Sequence, residues 1–507
     1  MKFTPFEEVG EGSKKRLRIF GAGVLLAGVL VFSRLFFVQV LMGGYYRDMA
    51  LGNKLRRERI EAGRGVISDK EGEIMAGNKV VDGGVIRFYP WGETSSSLTG
   101  YLSEMKGMTG LEKQYDGILS GTAGEELVEL DAYGNRIRVL GRRDVQAGRD
   151  IKTNVSMKLQ QNIYTVMKKR LVEGGLSGSV VVSRVSGEIL ALLSLPSYDP
   201  NLFSGGAFRG TAGGDYASVE KVLSDEVKKP LFNRVIAGSF APGSVFKILP
   251  AIAGLSERVI DRNVTILDTG EIKVGSYRFG NWYFDQYGKT EGEINIERAL
   301  TRSNDIFFYK LGEMLGIDKL VTWSKRFGIG EKTGIDMPGE VSGLLPDPLW
   351  REREIGERWF LGNTYHMSIG QGDLMMTPLQ VNRLAASVIS GKRCVPRMVG
   401  REKKCEDLGT SEVNRETVIS GMRGACESGG TAFSFFDLKG KVLCKTGTAQ
   451  HGGEATKPHA WISVVIPNEN EVENWVVVTV MIEAGGEGSY EAGPVAREIV
   501  DYLMKNE

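Results

Sequence analysis

Three tetrapeptides in this chain set a serine three residues before a lysine: Ser103 with Lys106, Ser218 with Lys221, and Ser244 with Lys247. On a helix that spacing puts both side chains on one face, about one turn apart, so the amine can reach the hydroxyl. A serine hydroxyl is a weak nucleophile until a base takes its proton, and a lysine whose pKa is lowered by burial or a neighbouring cation can be that base. The tetrapeptide alone also fits a solvated surface pair, so context must separate the copies. Ser218 lies among Asp215, Glu220, Asp225 and Glu226, and Ser103 lies in a polar, Gly-containing run. Only Ser244 is flanked by Val245, Phe246, Ile248 and Leu249, after a Pro242-Gly243 turn suited to the start of a buried helix.

Such a nucleophile further needs a proton route to the leaving group, a cation that keeps Lys247 neutral and holds an anionic substrate, and an oxyanion hole. Lys445-Thr446-Gly447-Thr448 follows the apolar Val442 and Leu443 as a strand. Strand alternation sends Lys445 and Gly447 one way and Thr446 and Thr448 the other, and Gly447 lets substrate approach the backbone. A second Lys-Thr-Gly, at Lys332, sits among Gly328, Gly330, Asp336, Pro338 and Gly339 and reads as loop. Between nucleophile and strand lies Ser303-Asn304-Asp305, directly before Ile306-Phe307-Phe308-Tyr309. Taken alone, that triplet is a helix cap.

The elements that must position these groups form an α+β chain. Residues 1–18 are polar and end in Lys14-Lys15-Arg16-Leu17-Arg18; residues 19–40 are an apolar run long enough to span a bilayer, with Arg34 able to snorkel. The basic flank puts the N-terminus in the cytoplasm and the rest outside. A cleaved signal peptide is disfavoured because no clear small-x-small site follows the run, and a soluble helix because apolar residues cover every face over so long a stretch. Residues 41–155 read as a β-rich pedestal without a catalytic constellation. An amphipathic helix around Lys158 to Leu171 opens a second domain, 156–507. That domain has strands at both ends, around 178–194 and 441–482, and helices between, one running from about Ile296 through Tyr309. An antiparallel sheet joining its termini is the expected result.

The chain's 507 residues exceed one ordinary core, and 64 basic against 63 acidic residues give no support for a nucleic-acid partner. Four cysteines without paired spacing and three histidines argue against a structural zinc. Cys394 and Cys405 flank a polar segment that could be a hairpin turn, so a disulfide outside the cell stands beside free, buried Cys394, Cys405, Cys426 and Cys444.

The order Ser-x-x-Lys, Ser-containing triplet, Lys-Thr-Gly is the signature of penicillin-binding proteins and serine β-lactamases. The chain resembles a class B high-molecular-weight penicillin-binding protein, a peptidoglycan D,D-transpeptidase. The likeness runs from Ser33-Arg34-Leu35-Phe36 in the anchor through Arg64-Gly65-Val66-Ile67, Gly110-Leu111-Glu112, Thr333 to Glu340, Ile369-Gly370-Gln371-Gly372 and Lys445 to Gln450, to His459-Ala460-Trp461. The middle motif, usually Ser-x-Asn, closes here on Asp305, a form similar to elongation-type members. Cys444 replaces the usual glycine before Lys445.

The resemblance implies a pedestal or dimerisation-type domain, then a transpeptidase domain that cross-links stem peptides during wall elongation. Ser244 is the nucleophile, Lys247 the base and Ser303 the relay to the departing D-alanine. Asp305 orients both, Lys445 supplies the charge, and Thr446, Gly447, Thr448 and Asn304 line the substrate site. No cofactor or metal is implied. The implied partners are stem peptides, β-lactams as inhibitors, a membrane glycan polymerase with other cell-wall proteins, and the bilayer. A D,D-carboxypeptidase or β-lactam receptor of the same fold, and a scaffold activating that polymerase, share much of this signature.

Overall fold

The computed structural model describes residues 11–81, 84–131, 133–172, 176–204, 214–452, 456–469 and 471–506. The first ten residues of the expected cytoplasmic tail lie outside the described residues. Two compact units emerge, one of Met1–Gly63 with Ser120–Gly148, the other of Arg64–Leu119 with Arg149–Glu507.

In the first unit, helix α1 (Glu11–Phe36) runs on through a π-helical turn, Phe37–Leu41. The combined 31 residues have a mean hydropathy of 2.3 in their most apolar window, and none of that window is buried by protein. A continuous apolar surface with no protein cover is compatible with a single-pass membrane anchor. Arg34 lies over the Phe37 ring at 5.5 Å. Strands β1 (Leu55–Ile60), β2 (Gly124–Leu130) and β3 (Arg136–Arg143) make a three-stranded antiparallel sheet in that order. Arg138 on β3 pairs with Glu129 on β2 at 2.8 Å, and Arg142 with Glu126 at 3.3 Å. These pairs are exposed, so each adds only about 0–1 kcal/mol; they set register more than stability.

The second unit holds the chemistry. Helix α2 (Met157–Val172) leads into the hairpin β4 (Gly178–Arg184) and β5 (Ile189–Leu195), and the chain returns at its far end as β6 (Leu443–Ala449), β7 (His459–Ile466) and β8 (Val476–Ile482). The sheet order is β5-β4-β8-β7-β6, antiparallel throughout, so the first and last strands of the domain meet at β4 and β8 as expected. Alternation sends Val180, Val182, Ile462, Val464, Val478 and Val480 to one face, against Leu159, Ile163 and Met167 of α2 and Ile499 and Leu503 of the last helix. It sends Trp461, Val465, Val477 and Met481 to the other, against Phe246, Leu249 and Phe307. Both faces are covered, which is why these strands read as unbroken apolar runs. Each large side chain so buried contributes about 1.5–3 kcal/mol.

Helix α3 (Ile248–Ser256) is buried at all but its last residue and carries the Ser244 turn at its start. The segment expected as one helix from Ile296 is two, α4 (Ile296–Arg302) and α5 (Asp305–Arg326), broken where Ser303 takes a left-handed φ of 53°. Helix α6 (Pro378–Ser390) starts at a capping box of Thr377 and Gln380 with Pro378 at its first position, and stops at left-handed Gly391. Helix α7 (Glu412–Ala425) and helix α8 (Ala492–Asn506) add to the helical layers.

All four cysteines are oxidised. Cys394 and Cys405 close the hairpin foreseen between them, and Cys426, at the end of α7, is joined to Cys444 on β6. Of the two readings left open by the sequence, the disulfide is the one found, and a second bridge joins it. The second bridge also explains the residue before Lys445: the Cys444 side chain points to the α2/α8 face, away from Lys445.

Candidate active site

The Ser244 turn is wedged against β6 by positions that lack a side chain. Gly243 has φ +57°, and a Cβ there would stand 2.9 Å from the Thr448 carbonyl oxygen. A Cβ on Gly370 would come within 2.1 Å of the Gly243 oxygen, and one on Gly447 within 3.0 Å of the Pro242 oxygen. The turn is held by Gly243 N–H donating to the Gly370 carbonyl at 2.8 Å and by the Trp461 indole N–H donating to the Ala241 carbonyl at 3.1 Å. Ser244 follows in a 3-10 turn, Gly243–Lys247, that runs into α3, and Ser244 is partly exposed while Lys247 is fully buried.

Lys247 Nζ donates to the Ser303 carbonyl at 2.7 Å and to Asp305 Oδ1 at 2.6 Å. The direct bond expected between Lys247 and Ser244 is not among these; the amine is drawn to the middle motif. A neutral amine has two N–H bonds, both accounted for here, and a lone pair left to receive a proton. Catalytic hydrogen bonds of this kind commonly close only when substrate is bound. Lys445, also fully buried, donates to Ser303 Oγ at 2.8 Å and to the Thr446 carbonyl at 3.0 Å. Left-handed Ser303 is therefore the hinge: its carbonyl faces one lysine and its hydroxyl the other.

Burial lowers the pKa of Lys247, and the Asp305 carboxylate opposes that shift. Burial pushes Lys445 well below the usual lysine range, the charge on Lys247 pushes the same way, and Asp305 again opposes. Two ammonium groups and one carboxylate in a dry site give one supported cation, so the lysines titrate as a pair.

Thr448 is exposed beside the turn, its hydroxyl accepting from Gly488 N–H at 3.2 Å and its carbonyl from the Gln371 amide at 3.2 Å. Thr446 is buried and its hydroxyl donates to Thr431 at 2.8 Å, on the opposite face from Lys445. Asn304 does not line the cleft as expected. It is fully buried, its amide donating to Asp268 at 2.8 Å and its oxygen accepting from Phe307 N–H at 2.9 Å as the cap of α5. The cap reading thus holds for Asn304 while Ser303 and Asp305 join the lysines.

The other copies of the motifs serve local structure. Ser218 caps a short helix by accepting from Lys221 N–H, Ser103 accepts from Lys106 N–H at 3.3 Å, and Thr333 of the second Lys-Thr-Gly is bonded to Glu340 in a loop. Residues with no sequence signal also reach the site: Trp282 N–H donates to Asp305 Oδ2 at 3.1 Å, and Asn281 accepts from Asp305 N–H at 3.1 Å. Among the described residues no cluster of three or more metal-ligating side chains occurs.

The family described as the penicillin binding protein transpeptidase domain matches residues 178–505, and the penicillin-binding protein dimerisation domain matches residues 80–153. A peptidoglycan D,D-transpeptidase MrdA of Haemophilus influenzae is 31% identical over 471 residues, covering 82% of this chain and 69% of the relative. A Pseudomonas aeruginosa PBP2 solved in complex with WCK 5153 superposes with a TM-score of 0.73 at 29% identity, over 88% of this chain and 97% of that one. A chain from a peptidoglycan synthase complex, whose structure concerns the coordination of polymerization and crosslinking, superposes with a TM-score of 0.77 at 25% identity, over 97% and 99% of the two chains.

Proposed function

Because this chain belongs to the penicillin-binding protein transpeptidases, we propose a division of labour for its buried lysines and their partners in peptidoglycan cross-linking. The protein is a serine-type D,D-transpeptidase. Ser244 Oγ attacks the carbonyl between the two D-alanines of a stem peptide, and Lys247 takes the hydroxyl proton. The C–N bond breaks, an ester to Ser244 forms, and the departing D-alanine nitrogen receives its proton through Ser303, which Lys445 holds at 2.8 Å. An acceptor amine from a neighbouring strand then attacks the ester, forming the cross-link and restoring the Ser244 hydroxyl. Backbone N–H groups of Ser244 and Thr448 face the developing oxyanion, where each donor is worth about 2.7–4 kcal/mol. Exposed Thr448, with the charge of the lysine pair, binds the terminal carboxylate. Thr446, on the same face of β6 as Thr448 and tied to Thr431 at 2.8 Å, holds the strand beside that contact.

The observation that carries this reading is the unbroken run Asp305–Lys247–Ser303–Lys445, in which every link is 2.8 Å or shorter. Labelling with a fluorescent penicillin tests it. Wild type is expected to label and Ser244→Ala to stay dark; equal labelling would overturn the assignment.

The finer setting is proposed too. Residues 19–40 anchor the protein in the cytoplasmic membrane with its N-terminus inside and the catalytic domain outside, residues 41–155 form the pedestal and 156–507 the transpeptidase domain. Two disulfides support an oxidising, extracytoplasmic site. The likeness to a chain of a peptidoglycan synthase complex supports a glycan polymerase of the elongation machinery as partner.

A further inference from the structure

A carboxylate outside the three motifs is buried directly behind them. Asp268 closes a short strand, Ile266–Asp268, that pairs with Gly292–Ile294. It is 2% exposed. Its Oδ1 accepts from Gly270 N–H at 2.9 Å, and its Oδ2 accepts from the Asn281 amide at 2.9 Å, the Asn304 amide at 2.8 Å and Glu291 N–H at 3.0 Å. All these donors are neutral. Burying a carboxylate costs several kcal/mol unless its oxygens are satisfied, so a charge held only by amides needs a reason to be there.

The reason lies in what the two asparagines do with their other ends. With both NH2 groups drawn to Asp268, each carbonyl oxygen must face the opposite way. That of Asn304 caps α5 at Phe307, and that of Asn281 receives the N–H of Asp305 at 3.1 Å. Trp282, next in sequence, donates its N–H to Asp305 Oδ2 at 3.1 Å and its indole N–H to the Arg302 carbonyl at 3.0 Å. One carboxylate thus sets the amide orientation of two side chains that grip the residues on the C-terminal side of Ser303. Ser303 needs that grip, because a left-handed serine costs on the order of 1–3 kcal/mol and persists only when its surroundings hold it.

We propose that Asp268 is a positioning residue for acylation: through Asn304 and Asn281 it holds Ser303 and Asp305 where Lys247 and Lys445 can both reach them. This rests on the reading of Ser244, Lys247, Ser303 and Lys445 as the acylation machinery. Asp268 touches no substrate. If the Asn281 and Asn304 amides turn, Ser303 relaxes, and its oxygens leave the 2.7 and 2.8 Å contacts with the two lysines. Misplacement by about 1 Å costs roughly 100-fold in rate.

The test is stopped-flow acylation of the full-length protein in detergent by a fluorescent penicillin, with the pre-acylation dissociation constant and the acylation rate constant resolved separately. Asp268→Asn presents an NH2 where the wild type has only acceptors. Its acylation rate constant is expected to fall about 10- to 100-fold with the dissociation constant unchanged. A merely structural role would lower the fraction of protein that labels without changing the rate constant. Asn304→Ala is expected to show the same split, and the double variant to be no slower than the slower single one. Should Asp268→Asn not fold, Asn281→Ser carries the same expectation. A wild-type rate constant in the folded variant, or losses that multiply in the double variant, would overturn the proposal. Loss of label in Ser244→Ala together with wild-type acylation in Asp268→Asn sinks this proposal alone; label retained in Ser244→Ala sinks the underlying reading and this with it.

Discussion

Asp305→Asn separates the two jobs of the middle-motif carboxylate, charge and orientation. In the wild type, burial lowers the Lys247 pKa and Asp305 raises it against that pressure. The lysine must be neutral to accept the Ser244 proton, so acylation rises with pH through the titration of the lysine pair and levels off above it. Removing the negative charge removes the opposing effect, and the acidic limb must move to lower pH. The size follows from the contact: Asp305 gives Lys247 one bond of 2.6 Å, while its second oxygen is engaged by Trp282 N–H. One charge-assisted hydrogen bond is worth about 1.5–3 kcal/mol, which at 1.36 kcal/mol per pKa unit is a shift of roughly 1–2 units. The plateau should fall as well, by roughly tenfold, because a carboxamide cannot accept from both Lys247 and Trp282. The assay is the acylation rate constant with a fluorescent penicillin from about pH 5 to 9. A limb that stays in place or moves to higher pH would refute the reasoning.

Three further outcomes can be checked directly. Ser303→Ala removes the relay and leaves Lys445 without its hydroxyl partner, so acylation should slow by about 10²–10⁴-fold while the protein remains folded by circular dichroism. Gly370→Ala adds a Cβ 2.1 Å from the Gly243 oxygen at a φ of +76°, so a penicillin-labelled fraction well below wild type is expected at the same protein concentration. Replacing Cys426 and Cys444 together by alanine opens a loop of 18 residues and should destabilise the second unit by about 2–4 kcal/mol in denaturant melts.

The buried setting of the Ser244 turn was legible in the sequence because its apolar neighbours differ from the charged surroundings of the other Ser-x-x-Lys copies, and burial of Val245, Phe246, Ile248 and Leu249 is what the structure shows. The sheet was legible for the same reason: strands covered on both faces leave unbroken apolar runs. The split of α4 from α5 was not, since a left-handed serine carries no mark that distinguishes it from a helical one. Asn304 was misplaced because linear proximity to Ser303 says nothing about which way a side chain turns once a helix begins. Asp268, Asn281 and Trp282 gave no signal at all; they lie at the end of a short strand and at the start of a short helix, Trp282–Tyr287, and their contacts with Asn304 and Asp305 exist only after folding. The Cys426–Cys444 bridge likewise joins residues whose proximity comes from α7 packing against β6.

The glycine seam where Gly243, Gly370 and Gly447 meet also bears on how this enzyme can evolve under antibiotic pressure. A protein under attack by β-lactams can narrow its cleft by adding bulk near the nucleophile, but along this seam the obstacles are backbone oxygens, 2.1 to 3.0 Å from where the new carbon would stand. Backbone cannot step aside as a side chain can, so the first mutation there harms wall synthesis before it excludes any drug. Resistance changes in this enzyme must therefore begin on exposed surfaces of the cleft, such as those around Thr448 or the Trp282 segment, and the seam itself should stay invariant through selection.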